Sequence, residues 1–118
     1  MTTSRPQHSA STALHVDGAG KTFVIFPNRP KLRIGRAGDN DITIDDDVVS
    51  RRHAEIAMRG RNFLLIDRST NGTFVDIDGA GSFRVIRDEL SLTANGSILV
   101  GSRDVPPIRF RLVEEGQA

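Results

Sequence analysis

The feature that most narrows what this chain can fold into is a rhythm. From Leu14 onward, short apolar runs are broken by turn residues at roughly eight-to-twelve-residue intervals, the spacing of an all-β domain. No stretch of useful length has helical periodicity. Ile108-Arg109-Phe110-Arg111-Leu112 alternates strictly between apolar and polar, as a strand with one buried face must, and Lys31-Leu32-Arg33-Ile34 and Ile42-Thr43-Ile44 alternate too. Leu14-His15-Val16 and Thr22-Phe23-Val24-Ile25-Phe26 flank Asp17-Gly18-Ala19-Gly20, a natural hairpin turn. Pro27-Asn28-Arg29-Pro30 stops the second run. Ala54, Ile56 and Met58 share a face, and Arg59-Gly60-Arg61-Asn62 turns the chain. Phe63-Leu64-Leu65-Ile66 is continuously apolar, which predicts cover on both faces.

The segment from Asp76 to Gly96 is longer than a hairpin needs. Gly79-Ala80-Gly81 reads as a turn and Phe83-Arg84-Val85 as a strand, while Arg87 to Leu92 fits either a strand or one helical turn. Ile98-Leu99-Val100 precedes the last strand. About eleven short, mainly antiparallel strands predict a β-sandwich, an architecture that gathers functional loops at one end. Residues 14–113 form one domain of ordinary size. Residues 1–13 and 114–118 read as disordered tails, and Thr2, Thr3 and Thr12 as exposed hydroxyls open to a kinase.

Composition removes several functions. There is no cysteine, so neither a disulfide framework nor a thiolate metal site. The net charge of +1 argues against a nucleic-acid partner, and no Tyr or Trp is available to stack bases. No apolar stretch approaches a membrane span, and the N-terminus lacks the apolar core of a signal peptide, so a cytoplasmic protein without a membrane partner is expected. Ser50 and His53 invite a nucleophile–base reading, but no Gly-x-Ser-x-Gly elbow accompanies them and no enzyme is expected. Asp39-Asn40-Asp41 and Asp45-Asp46-Asp47 are acid-rich yet fail the EF-hand pattern, so they read as turn caps or as neighbours of the arginines; no metal or cofactor is expected. Asn71 and Asn95 head Asn-x-Thr/Ser sequons that read as Asn-Gly turns.

Three pieces carry residues suited to gripping an anion: Gly35-Arg36, Ser50-Arg51-Arg52-His53 and Thr70-Asn71-Gly72-Thr73. Arg presents a planar fork of donors matched to phosphate oxygens, Ser and Thr add neutral hydroxyl donors, and Asn adds an amide able to bridge to another backbone. Gly35 lets the backbone turn ahead of Arg36 without a Cβ clash. Taken singly, Arg36 would pass for a solvated strand-end arginine and Asn71-Gly72 for a plain hairpin turn.

Together, Gly35-Arg36, Asn40-Asp41-Ile42, Ser50-Arg51-Arg52-His53 and Asn71-Gly72-Thr73-Phe74 resemble the forkhead-associated (FHA) domain, a β-sandwich module that binds phosphothreonine peptides. The resemblance covers about Leu14 to Leu112. It implies a partner bearing phosphothreonine, in trans or in cis. Arg36 would be the main phosphate ligand, joined by Ser50, Arg51 and Thr70, with Asn71 and Arg51 on the peptide backbone. Gly35, His53 and Gly72 would support the site, and Arg52 is the weaker candidate for contact. Arg59, Arg61 or Arg68 could favour an acidic residue beyond the phosphothreonine. The long 76–96 segment and the ending Ile98-Leu99-Val100-Gly101 are similar to FHA units attached to bacterial class III nucleotide cyclases. The family usually has an acid where Ser97 stands, which bears on turn geometry only. FHA-like domains can also dock without phosphate.

Overall fold

Each apolar run becomes a strand in one of two stacked sheets. The computed structural model describes residues 12–27 and 29–114. The strands are β1 (Thr12–Gly18), β2 (Lys21–Ile25), β3 (Lys31–Gly35), β4 (Ile42–Thr43), β5 (Ala54–Arg59), β6 (Asn62–Asp67), β7 (Thr73–Ile77), β8 (Gly81–Val85), β9 (Glu89–Ser91), β10 (Gly96–Val100) and β11 (Ile108–Glu114). One sheet has six strands in the order β2-β1-β11-β10-β7-β8, the other five in the order β4-β3-β5-β6-β9. All pairs are antiparallel except β3 with β4. No helix occurs among the described residues.

Alternation sets which side chains meet between the sheets. Leu14 and Val16 of β1 lie opposite Leu112 and Phe110 of β11, and Leu32 and Ile34 of β3 opposite Ile56 and Ala54 of β5. Of these, all but the half-buried Leu112 are buried, and Phe63, Leu65, Val75 and Ile98 join them in one core. Burial of apolar surface at ~25 cal/mol per Å² is the main force holding the layers together. Phe63, Leu64 and Leu65 are buried, as the unbroken run predicts, while Ile66 at its end is only half-buried.

Several expectations need correction. Strand β1 starts at Thr12 and β11 runs to Glu114, so Thr12, Ala13 and Glu114, read as tail residues, belong to strands; Thr12 is buried and its Oγ1 donates to Glu114 Oε2 at 2.7 Å, which removes it as an exposed acceptor for a kinase. Thr2, Thr3 and residues 115–118 lie outside the described residues. Within the 76–96 segment, Phe83-Arg84-Val85 lies in strand β8, as expected, and the Arg87–Leu92 stretch takes the strand alternative as β9; β8 closes the six-stranded sheet and β9 the five-stranded one. Gly96 is not the second half of a turn. It is the first residue of β10, and a Cβ there would lie 2.0 Å from the Asp76 carbonyl oxygen, so it is needed for close strand approach. Ser97 is likewise a strand residue, opposite Asp76, rather than part of a turn.

Topology also fixes where the connections emerge. Ala54 pairs with both Ile34 and Asp67, so β3 ends, β5 begins and β6 ends at the same edge of the sandwich. Val100 opposite Thr73 brings the start of β7 and the end of β10 to that edge in the other sheet.

Candidate functional site

Gly35 is where this edge is tightest. A Cβ at Gly35 would sit 2.2 Å from the Arg51 carbonyl oxygen and 2.8 Å from Asn40 Nδ2. The glycine is required because the Arg51 backbone crosses it, a different reason from turn formation. That crossing is hydrogen-bonded. Arg36 N donates to Ser50 O at 2.9 Å, Ala37 N to Arg51 O at 3.2 Å, and buried Asn40 donates through Nδ2 to both Ala37 O and Arg51 O at 2.8 Å. Asn40 thus pins the β3–β4 loop to the β4–β5 loop.

Arg36 leaves the end of β3 with its Nε–H donating to Val49 O at 3.0 Å. This bond aims the half-buried side chain and leaves the terminal guanidinium nitrogens without a partner among the described residues. Ser50 Oγ accepts from Thr70 N at 3.2 Å and keeps its own proton to donate. Asn71 Nδ2 donates to Val48 O at 2.9 Å, leaving its Oδ1 and second N–H outward. Two loops, β3–β4 and β6–β7, therefore meet on the Val48–Ser50 segment of a third, β4–β5. Arg51, Thr70 and Asn71 are exposed there. Arg52 is turned away, gripping Asp39 through two 2.6 Å bonds. The Arg52 guanidinium holds the Asp39 carboxyl below its usual range, and the carboxylate raises Arg52 in turn. This pair is exposed, so its contribution to stability is small.

Beneath the exposed residues lies a buried polar layer. His53 is fully buried. Its Nδ1 accepts from Ser50 N at 3.0 Å and its Nε2 lies 2.7 Å from Gly72 O. With Nδ1 as acceptor, Nε2 carries the proton and donates to Gly72 O. Burial is the largest influence on the ring and pushes its pKa down, outweighing the Gly72 bond and the Asp67 charge that pull it up. A neutral imidazole thus bolts the β4–β5 loop to the β6–β7 loop.

Asp67, buried at the end of β6, is the second bolt. Its carboxylate accepts from Ser69 N and Oγ, from Thr73 Oγ1 at 2.6 Å, and from Arg87 N at 2.9 Å. Ser69 Oγ in turn accepts from Gly72 N at 2.7 Å. Gly72 has φ 88, and a Cβ there would meet Ile86 Cγ1 at 2.7 Å. Gly101 N donates to Gly72 O at 2.9 Å, tying in the β10–β11 loop.

Of the residues singled out in the sequence, Gly35, Arg36, Ser50, Arg51, His53, Thr70, Asn71 and Gly72 all fall within this edge. Arg59 and Arg61 do not. They flank the β5–β6 turn, at the other end of β5 and β6, and Arg59 is spent on a bidentate contact with Glu89 at 2.9 and 3.1 Å. Arg68 is at the right edge but leans on Glu55 at 3.6 Å. Nothing in the sequence marks Asp67 or Ser69 as site-forming, and Asn40 is marked only as part of the motif set, without a role. A buried-side reading of Ser69 needs the long-range partners that only folding supplies. Of the Asp45–Asp47 run, Asp46 caps the turn over residues 46–49, its Oδ1 accepting from Val48 N and its carbonyl from Val49 N, both at 3.0 Å.

Comparison with known proteins bears on the whole assembly. Residues 32–103 match the FHA domain family. The glycogen accumulation regulator GarA of Mycolicibacterium smegmatis is 44% identical over 96 residues, covering 80% of this chain and 51% of that protein. The chain spans about half the length of the first curated relatives it matches. Among solved structures, Mycobacterium tuberculosis EmbR in complex with a low-affinity phosphopeptide is similar with TM-score 0.62 and 30% identity, covering 91% of this chain and 25% of that one. The FhaA FHA domain, solved in complex with the intracellular domain of Rv3910, is similar with TM-score 0.58 and 33% identity, covering 86% of this chain and all of that one.

Proposed function

This chain belongs to the FHA domain family, and from that premise we propose that it binds a phosphothreonine-containing peptide or protein, recruiting or regulating that partner through Arg36, Ser50 and Asn71. The observation that carries the reading is the meeting of the β3–β4 and β6–β7 loops on the Val48–Ser50 segment of the β4–β5 loop, with donors left over on each. The Arg36 guanidinium would take two phosphate oxygens, and the Ser50 hydroxyl a third. Arg51 and Thr70 would stand at the rim, and Asn71 would hold the peptide backbone. The two similar structures solved with a phosphopeptide and with a protein domain support a partner of this class.

The magnitudes are adequate. A phosphate carries roughly −1.5 to −2 charges and three acceptor oxygens. Each hydrogen bond to such a group contributes about 1.5–3 kcal/mol. Three or four of them, less the entropy of ordering a peptide, give about −7 to −9 kcal/mol, a Kd near micromolar. Arg36→Ala would remove the main guanidinium assigned to the phosphate while leaving the core untouched. It is expected to cost about 2–5 kcal/mol of binding, at least ~30-fold, with an unchanged melting curve. Calorimetry with a phosphothreonine peptide checks this; wild-type affinity in the variant would remove Arg36 from the site.

The module binds rather than catalyses. Both nitrogens of His53 are engaged, one accepting from the Ser50 backbone and one donating to Gly72, so neither serves Ser50 Oγ as a base. The setting we propose is a cytoplasmic signalling protein, where serine/threonine kinases meet their products. No helix among the described residues is long and apolar enough to cross a membrane. The 76–96 segment is integral to the sandwich, so it does not single out a nucleotide cyclase as the attached unit.

A further inference from the structure

Asn71, assigned above to the peptide backbone, is held at two points. Its side chain donates to Val48 O, and its carbonyl accepts from Arg84 Nη2 at 3.0 Å. Arg84 belongs to β8 and lies directly across from Phe74 of β7. Its guanidinium carbon stands 5.7 Å from the centre of the Phe74 ring, and that of Arg103, from the β10–β11 loop, stands 4.9 Å from the same ring. Both distances fall within the ~6 Å reach of a cation–π contact. Arg103 is fixed in turn by two 3.2 Å bonds to the carboxylate of Asp76, two residues along β7. Arginines from two different elements thus close on Phe74. The β6–β7 loop is gripped from within by Asp67, Ser69 and His53, and from without by Arg84.

We propose that Arg84 is a positioning residue for Asn71: it touches no partner itself, and it raises phosphopeptide affinity by holding the Asn71 main chain in the binding conformation. Phe74 and Arg103 keep its guanidinium in place. The inference rests on the phosphothreonine reading and adds to it a residue from outside the three site-forming loops. The mechanism is preorganisation. The Arg84 bond fixes the peptide plane that follows Asn71, and the Val48 bond fixes its side chain. With both set, Oδ1 and the second N–H of Asn71 have one direction before any peptide arrives, so the entropy of ordering them falls on folding rather than on binding. A charged donor to a neutral carbonyl makes the stronger kind of hydrogen bond, which suits an exposed hold.

The test is a double-mutant cycle read by calorimetry, with a phosphothreonine peptide and its unphosphorylated twin. Arg84→Ala is expected to weaken the phosphopeptide about tenfold, the scale of one charge-assisted hydrogen bond. The melting curve should not move, since Arg84 is exposed. In an Asn71→Ala background the same substitution should cost less than about twofold, because the group it positions is gone. Arg84→Lys, which keeps a long stem and a donor, should lie between wild type and Arg84→Ala, and it carries the same cycle should the alanine variant unfold. With no peptide present, the NMR signals of the Asn71 side-chain amide should shift or broaden in Arg84→Ala. Full affinity in Arg84→Ala overturns the proposal. So does an equal loss in both backgrounds, which would put Arg84 in direct contact with the partner, and so does an unchanged Asn71 amide signal. If the phosphopeptide binds no better than its twin, the phosphothreonine reading itself fails and this proposal with it, even where the Asn71 signal still responds to Arg84.

Discussion

Strand β6 is bounded by two connections that share a glycine with positive φ and differ in almost everything else. At its start, the β5–β6 turn holds Gly60 at φ 63, and a Cβ there would meet nothing within 4 Å. The turn is exposed and flanked by the surface pair Arg59–Glu89. At its end, the β6–β7 loop holds Gly72 at φ 88, but this glycine is buried against Ile86 and Val85, and its neighbours Asp67, Ser69 and Thr73 are buried too. One glycine relieves only backbone strain. The other also makes room, within a loop whose shape is held by a carboxylate and an imidazole. A turn that only reverses the chain needs no inner framework; a turn that presents Thr70 and Asn71 at fixed positions does.

The largest effect is expected at the buried end. Gly72→Ala must bear both the left-handed backbone and the collision with Ile86, and is expected to lose about 3 kcal/mol or more of stability, together with phosphopeptide binding. Chemical denaturation of the variant reads this directly; a cost no greater than that of a simple turn glycine would show the loop to be soft.

The imidazole supplies the intermediate effect. His53 has its folded pKa below the ordinary 6.5, so the unfolded chain takes up the proton first as pH falls. Stability from this group is complete above about pH 6.5 and declines below it, with a limiting slope of about 1.4 kcal/mol per pH unit. The carboxylates held down by arginines, Asp39, Asp76 and Glu89, lose their contributions only at lower pH, near and below their ordinary values of 3.8–4.5. Unfolding measured between pH 8 and 5 should show the slope in the wild type and not in His53→Gln. A flat wild-type profile would mean that the ring is not held neutral.

The smallest effect belongs to the open turn. Gly60→Ala bears only the left-handed backbone, about 1 kcal/mol, and should leave peptide affinity unchanged. A loss of binding in Gly60→Ala would erase the distinction between the two ends.

Much of the sandwich was legible because alternation is local. Ile108 to Leu112 declares its buried face residue by residue, and Phe63 to Leu65 their double cover. Arg36, Ser50 and Asn71 were legible as a set, because they come with neighbours that fit one family, and they do share one edge of the sandwich. What supports them was not. Asp67 meets Arg87 N across twenty positions, His53 meets Gly72 across nineteen, and Asn40 meets Arg51 across eleven. A hydroxyl such as Ser69 looks the same in sequence whether it faces water or a buried carboxylate. The same blindness to pairing misplaced Arg59 and Arg61, which share the arginine chemistry of the site and sit at the wrong end of two strands. It also hid Thr12, whose partner Glu114 is at the other end of the described chain.

Arg51, Thr70 and Asn71 reach outward, while His53, Asp67, Ser69 and Asn40 work beneath them, and the two sets divide by depth. Depth therefore sorts this edge into a rim open to solvent and a foundation that never meets it. Swapping a rim residue should trouble the scaffold little, whereas a swap in the foundation would shift the whole rim.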